Sequence, residues 1–261
     1  MTRGALTRRA AMASVATALT LLALKAWAAW TTGSVAVLAS LADTGLDLLA
    51  SLVTLYAVRL AAVPADDDHR FGHGKAEALA ALFQTGLILA SAIAIGWRGV
   101  ERLGNPGPTA APEYGIAVSV IAIVLTLALV GYQRRVVART GSLAIQTDSV
   151  HYSSDLLLNG AVIAALILDA WVGIEGADAA FGIAIALWLA LGALRAARAA
   201  VDELMDKEWP DEARQAFLAV AARHPRLRGI HDLRTRTSGG HRFVQFHVWV
   251  DPSMTLAEAH R

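Results

Sequence analysis

Two pairs of potential metal ligands, Asp43 with Asp47 and His151 with Asp155, each lie four residues apart inside a long apolar stretch. Residues at positions i and i+4 point from the same face of a helix. A charged side chain at the centre of a spanning helix costs roughly 2.5 to 3.5 kcal/mol, so three carboxylates together cost about 8 to 10 kcal/mol. A bound divalent cation is the natural partner to offset that cost.

Three carboxylates and one imidazole form a tetrahedral ligand set that suits Zn²⁺ or Cd²⁺ and disfavours Ca²⁺ and Cu⁺. The same set tolerates Fe²⁺, Co²⁺ and Mn²⁺, so zinc is the first expectation among several metals. These ligands bind a metal only when the imidazole is neutral and the carboxylates are ionised. Protons should therefore expel the metal, which is the chemical basis of an antiporter.

The depths of the two pairs allow them to meet. Counted from the expected ends of their spans at Ser34 and Ser142, Asp47 and Asp155 each lie about 13 residues, or ~20 Å of helix, into the membrane. Hydrogen bonding between helices is the alternative role, but two pairs at matched depth, one with a titratable imidazole, are hard to explain that way. Asp148 is expected either to line the cytoplasmic mouth or to be an ordinary interfacial charge.

The composition is that of a membrane protein. Of 261 residues, 56% are hydrophobic and 17% charged, and the mean hydropathy is +0.48. The net charge is +1 and no basic stripe is present, so nothing indicates nucleic-acid binding. The chain has no cysteine, which excludes disulfides and thiolate metal sites.

Six apolar runs reach spanning length and predict an all-α membrane domain over residues 1–200. They cover residues 9–30, 34–60, 78–102, 113–137, 143–171 and 177–200. The first run also fits a signal peptide, but its length and the five runs that follow favour a retained span. Basic residues gather in alternate loops and at both ends, which predicts a multi-pass cell-membrane protein with both termini in the cytoplasm.

Residues 201–261 have a soluble composition and predict a small cytoplasmic α+β domain. An amphipathic helix is expected over 211–223, and two strands over 228–237 and 241–250 are joined by a glycine turn. Thr255 and Glu258 form a possible capping box for a short last helix. This α-β-β-α unit ends abruptly, so the domain is expected to be C-terminally incomplete.

The loop between spans two and three clusters Asp66 with two imidazoles, His69 and His73. Such a cluster fits a metal site, although a solvated loop also holds these residue types readily. Together with the Asp43/Asp47 and His151/Asp155 pairs, the stretches 64–77 and 231–236 closely resemble the cation diffusion facilitator family. The likeness covers essentially the whole chain and is strongest for the bacterial zinc and ferrous-iron efflux branch.

The resemblance implies a homodimeric Zn²⁺/H⁺ antiporter with zinc as substrate, and with no cofactor beyond a structural or regulatory zinc ion. Its transport site would consist of Asp43, Asp47, His151 and Asp155, and its loop site of Asp66, His69 and His73. The cytoplasmic domain would be metallochaperone-like, with zinc at the dimer interface held by His231, His247 and His260. Lys75 and Asp206 match a pair that links the protomers near the membrane. Family members continue through a helix into a final strand that carries further ligands, which this sequence does not contain.

Two other functions remain open from the residues alone. An intramembrane metal-dependent hydrolase would need a metal with an open water position. No HExxH pattern is present and no general base is obvious, so we expect a transporter rather than an enzyme. A membrane zinc sensor acting through the cytoplasmic domain would bind metal without moving it.

Overall fold

The computed structural model of the chain describes residues 2–32, 35–104, 115–172, 177–224 and 229–259. Six long helices come first: α1 Arg3–Thr32, α2 Val35–Ala61, α3 Ala76–Gly104, α4 Gly115–Thr140, α5 Leu143–Val172 and α6 Ala177–Leu204. The shortest has 26 residues, about 39 Å at 1.5 Å per residue, which is enough to cross the hydrocarbon layer. The helical membrane domain followed by a small α+β unit is therefore confirmed.

Within the described residues, five of these helices are also apolar enough to span a membrane, namely α1, α2, α3, α4 and α6. The remaining one, α5, is 30 residues long, and its side chains are described only up to residue 158. The described part of α5 carries the polar side chains of the candidate site, including His151 and Asp155. The predicted break at 31–34 lies partly outside the described residues, and the one at 105–112 lies wholly outside them.

Helix α5 lies at the centre of the bundle and contacts each of the other five long helices. The remaining helices pair mainly as α1 with α2 and α3 with α6. Alanine side chains such as Ala10, Ala57, Ala80 and Ala144 are buried where the helices meet. Small side chains let helix backbones approach closely, which is how helices in lipid gain contact without a hydrophobic driving force. This packing brings polar groups of several helices against α5.

The C-terminal part contains α7 Asp211–Ala221, β1 Gly229–Ser238, β2 His241–Trp249 and α8 Leu256–Ala259. The two strands form an antiparallel hairpin in which His231 faces His247. Glycine suits the turn because Gly239 has a φ of +56°. The predicted capping box is present at α8, where the Thr255 backbone N–H donates to Glu258 Oε2 at 2.8 Å. The predicted helix and strands are confirmed to within two residues at each end.

Candidate metal centre

Helices α2 and α5 bring Asp47, His151 and Asp155 together. One ligand atom from each residue lies within 4.8 Å of the other two. The closest contact joins His151 Nε2 and Asp47 Oδ1 at 2.9 Å. His151 is 8% exposed, and the two carboxylates are partly buried. An imidazole nitrogen and two carboxylates around one point are three ligands of the kind that Zn²⁺ accepts.

Asp43 lies one turn from Asp47 on α2; its side chain is exposed, and it does not belong to the three-residue cluster. The residue next to it, Thr44, accepts a hydrogen bond from Lys25 Nζ at 2.7 Å. Lys25 comes from α1 and places a positive charge beside the Asp43 end of the site. Sequence reasoning missed this residue, although a lysine inside an apolar span was the signal that could have found it.

Asp148 is fully buried and accepts hydrogen bonds from three other helices. Its Oδ2 accepts from Ser14 Oγ of α1 and from Gln133 Nε2 of α4, both at 2.6 Å, and its Oδ1 accepts from Gln84 Nε2 of α3 at 3.0 Å. Gln84 also donates to Thr54 Oγ1 of α2 at 2.6 Å. The expectation that Asp148 lines the mouth or is an interfacial charge is therefore wrong. It is the centre of a polar network that connects five helices.

The loop residues Asp66, His69 and His73 also come together, with ligand atoms within 4.8 Å of one another. Asp66 lies 3.3 Å from His69 Nδ1 through Oδ1, and 3.4 Å from His73 Nε2 through Oδ2. The His69 backbone N–H donates to Asp66 Oδ1 at 2.6 Å. This bond, aided by the nearby imidazoles, lowers the pKa of Asp66 below its ordinary value despite the opposing effect of desolvation. The carboxylate is thus held in the ionised form that a metal requires.

The cytoplasmic histidines His231 and His247 are cross-strand neighbours whose ring centroids lie 5.2 Å apart. Both are exposed, and His247 Nδ1 lies 4.0 Å from Asp232 Oδ2. The third predicted ligand, His260, lies outside the described residues. Within the described residues, these two histidines do not belong to a cluster of three potential ligands.

Lys75 and Asp206 form an ion pair within one chain, with Nζ 3.0 Å from Oδ1. The link between protomers that the resemblance implies for these two residues stays a prediction. Arg236 Nη1 of β1 donates to the other carboxylate oxygen, Oδ2, at 3.3 Å. The pair joins the start of α3 and the end of α6 to the hairpin, and so fixes the membrane helices to the C-terminal domain.

Comparison with known families agrees with both parts of the fold. The family sequence model of the cation efflux transmembrane domain matches residues 11–205. The family sequence model of the cation efflux protein cytoplasmic domain matches residues 209–261. The chain belongs to the cation efflux family. It is a membrane-embedded cation transporter, and its match to the family's dimerisation domain supports a homodimer.

Similar curated proteins carry the name cation-efflux pump FieF. The one from Cronobacter sakazakii is 46% identical over 257 residues, which cover 98% of this chain and 85% of the relative. The one from Shewanella oneidensis is 47% identical over 223 residues, covering 85% of this chain and 75% of the relative. The one from Klebsiella pneumoniae is 46% identical, with 98% of this chain and 85% of the relative covered.

Proposed function

We propose that the chain exports a divalent metal cation, with Zn²⁺ as the preferred substrate, in exchange for protons. The observation that carries the proposal is the convergence of Asp47, His151 and Asp155 between α2 and α5. Asp43 is the fourth ligand of the proposal, one turn away on the same helix. The relatives named as cation-efflux pumps support the export of a cation.

The contact between His151 and Asp47 supplies the coupling to protons. A hydrogen bond between an imidazole nitrogen and a carboxylate oxygen at 2.9 Å needs a proton between the two atoms. Those same two atoms must be free of that proton to bind a metal. A metal ion and a proton therefore compete for one position, so loading the metal releases a proton and protonation releases the metal.

The distribution of arginines supports a location in the cell membrane with both termini on the cytoplasmic side. In that orientation the cation is taken up from the cytoplasm at near-neutral pH and released on the opposite side. The loop cluster of Asp66, His69 and His73 is proposed as a second metal site at the cytoplasmic end. The pair His231 and His247 is proposed to hold a regulatory zinc ion, with His260 as its third ligand.

The experiment measures zinc flux into proteoliposomes that contain a zinc-sensitive dye, with a pH difference across the membrane. We expect Asp47→Asn and Asp155→Asn to reduce flux to the level of protein-free vesicles, because each removes one ligand charge. Asp67→Asn is the matched control: its side chain is 95% exposed and lies outside both clusters, so flux should stay near wild type. Full flux in either site variant would reject the proposal, and zinc binding without flux in wild type would favour a sensor.

A further inference from the structure

A cavity of about 820 Å³ opens at the end of the bundle where the cytoplasmic domain sits. It lies between the first turns of α1, the last turns of α2 and the turn of the β-hairpin. Its walls include the side chains of Arg3, Arg8, Arg59 and His241, with Glu77 as the single carboxylate among the lining residues. The proposed transport chemistry uses none of these groups.

The only acidic group of this cavity is already neutralised. Glu77 is 2% exposed, and its two oxygens accept from Arg3 Nη1 at 2.9 Å and Arg3 Nη2 at 3.3 Å. Ser142 Oγ also donates to it at 2.5 Å. Arg8 and Arg59 are exposed, and neither has an ion pair with a residue that the structure describes. Among the described residues, these two positive charges of the cavity therefore have no counter-charge.

The other walls of the cavity are apolar. Val58, Ala62 and Val63 line it from the end of α2, and Val63 is 45% exposed. The helices approach closely beneath it, since a Cβ added at Gly4 would lie 3.4 Å from Ala62 Cβ. An apolar wall beside unpaired guanidinium groups at a membrane surface matches the two parts of a phospholipid, its acyl chain and its phosphate.

We propose that this cavity binds a phosphate group, presented by the head group of an anionic phospholipid or by free phosphate. Guanidinium groups bind phosphate through paired, charge-assisted hydrogen bonds, and basic pockets at the cytoplasmic ends of membrane helices recognise lipid head groups. The preference for positive charge on the cytoplasmic side explains arginines at this surface. It does not explain why two unpaired ones share one cavity.

The apolar wall favours the lipid over the free ion. A bound head group would contact α1, α2 and the hairpin residues Gly240 and His241 at once, because all of them line the same cavity. The ligand would thus connect the membrane helices to the cytoplasmic domain at a point separate from the Lys75–Asp206 ion pair.

The test measures binding of short-chain phosphatidylglycerol to the purified full chain in detergent by native mass spectrometry. Phosphatidylcholine of the same chain length and inorganic phosphate are the comparison ligands. The variant R8Q/R59Q should bind phosphatidylglycerol about 25-fold more weakly, from about fivefold per basic side chain at a membrane surface. The variant R8K/R59K keeps both charges but loses the paired guanidinium hydrogen bonds, so its affinity should lie between those of wild type and R8Q/R59Q.

The matched control is R134Q/R135Q, which removes two exposed arginines of α4 that do not line the cavity. Its binding should equal that of wild type. Selective loss in R8Q/R59Q supports the proposal, and competition by inorganic phosphate at similar concentration would identify free phosphate as the source. Equal binding of phosphatidylcholine, or equal losses in R8Q/R59Q and the control, would overturn it. Gel filtration of every variant checks that the fold is intact.

Discussion

Replacing Asp148 by alanine should destabilise the bundle by about 2 kcal/mol. The carboxylate accepts three hydrogen bonds, from Ser14, Gln84 and Gln133. Hydrogen bonds between membrane helices contribute about 0.6 kcal/mol each on average and about 1.7 at most, so three sum to about 2 kcal/mol with a ceiling near 5. The expected loss is about 2 and not about 5 kcal/mol, because in Asp148→Ala, Gln84 keeps its hydrogen bond to Thr54 and Gln133 keeps its hydrogen bond to Ser14.

The assay is reversible unfolding of the purified chain in bicelles by titration with a denaturing detergent. Thr85→Val is the matched control, since Thr85 is 2% exposed and its hydroxyl donates only to Ala81 of its own helix, at 2.8 Å. Asp148→Asn keeps one oxygen acceptor, so its loss of unfolding free energy should lie between those of Asp148→Ala and Thr85→Val. If Asp148→Ala falls within about 0.5 kcal/mol of the control, well below the expected loss, the network does not hold the helices together.

Two further predictions concern the junction between the membrane helices and the hairpin. Burial alone would raise the pKa of Asp206, but the hydrogen bonds and charges of Lys75 and Arg236 together outweigh it and hold the value below the ordinary 3.8. Stability from a depressed pKa is present above the unfolded value and is lost as the pH falls through the folded value. The Tm advantage of wild type over Asp206→Asn should therefore decrease as the pH falls below the ordinary value of 3.8 and disappear once the folded-state pKa has been passed; an advantage that stays constant from about pH 6 to about pH 2 would contradict this. Gly74→Ala should cost about 1 to 3 kcal/mol, because the new Cβ overlaps the backbone carbonyl of Ser238. Gly86→Ala, with no neighbour within 4 Å, is the control, and equal unfolding midpoints would refute the clash.

The spacing and depth of ligands along single helices predicted a four-residue set, and the structure brings three of its members, Asp47, His151 and Asp155, together. Asp47 and Asp155 were each counted about 13 residues into their spans, and both lie in the cluster with His151. The loop cluster was likewise predictable, because Asp66, His69 and His73 are close in sequence and local turns bring them together. Periodicity and turn residues predicted the strands and the last helices for the same local reason.

Features that depend on the neighbours of a helix could not be read from the sequence. The burial of Asp148 requires that α1, α3 and α4 all present donors at one level of α5, which periodicity along α5 does not reveal. The exposure of Asp43 depends on the rotation of α2 about its axis, and a four-residue spacing leaves that rotation open. The contact of Lys25 with Thr44 likewise depends on which helix packs against α2.

The proton shared by His151 and Asp47 is the feature on which the proposed exchange rests. It can be counted by calorimetric zinc titration in two buffers with different heats of ionisation, using a chain in which Asp66→Asn, His231→Ala and His247→Ala remove ligands from the two other proposed sites. We expect one zinc ion to bind per chain with release of about one proton, and both to be lost in His151→Gln. Zinc binding without proton release, or unchanged binding in His151→Gln, would contradict the proposal.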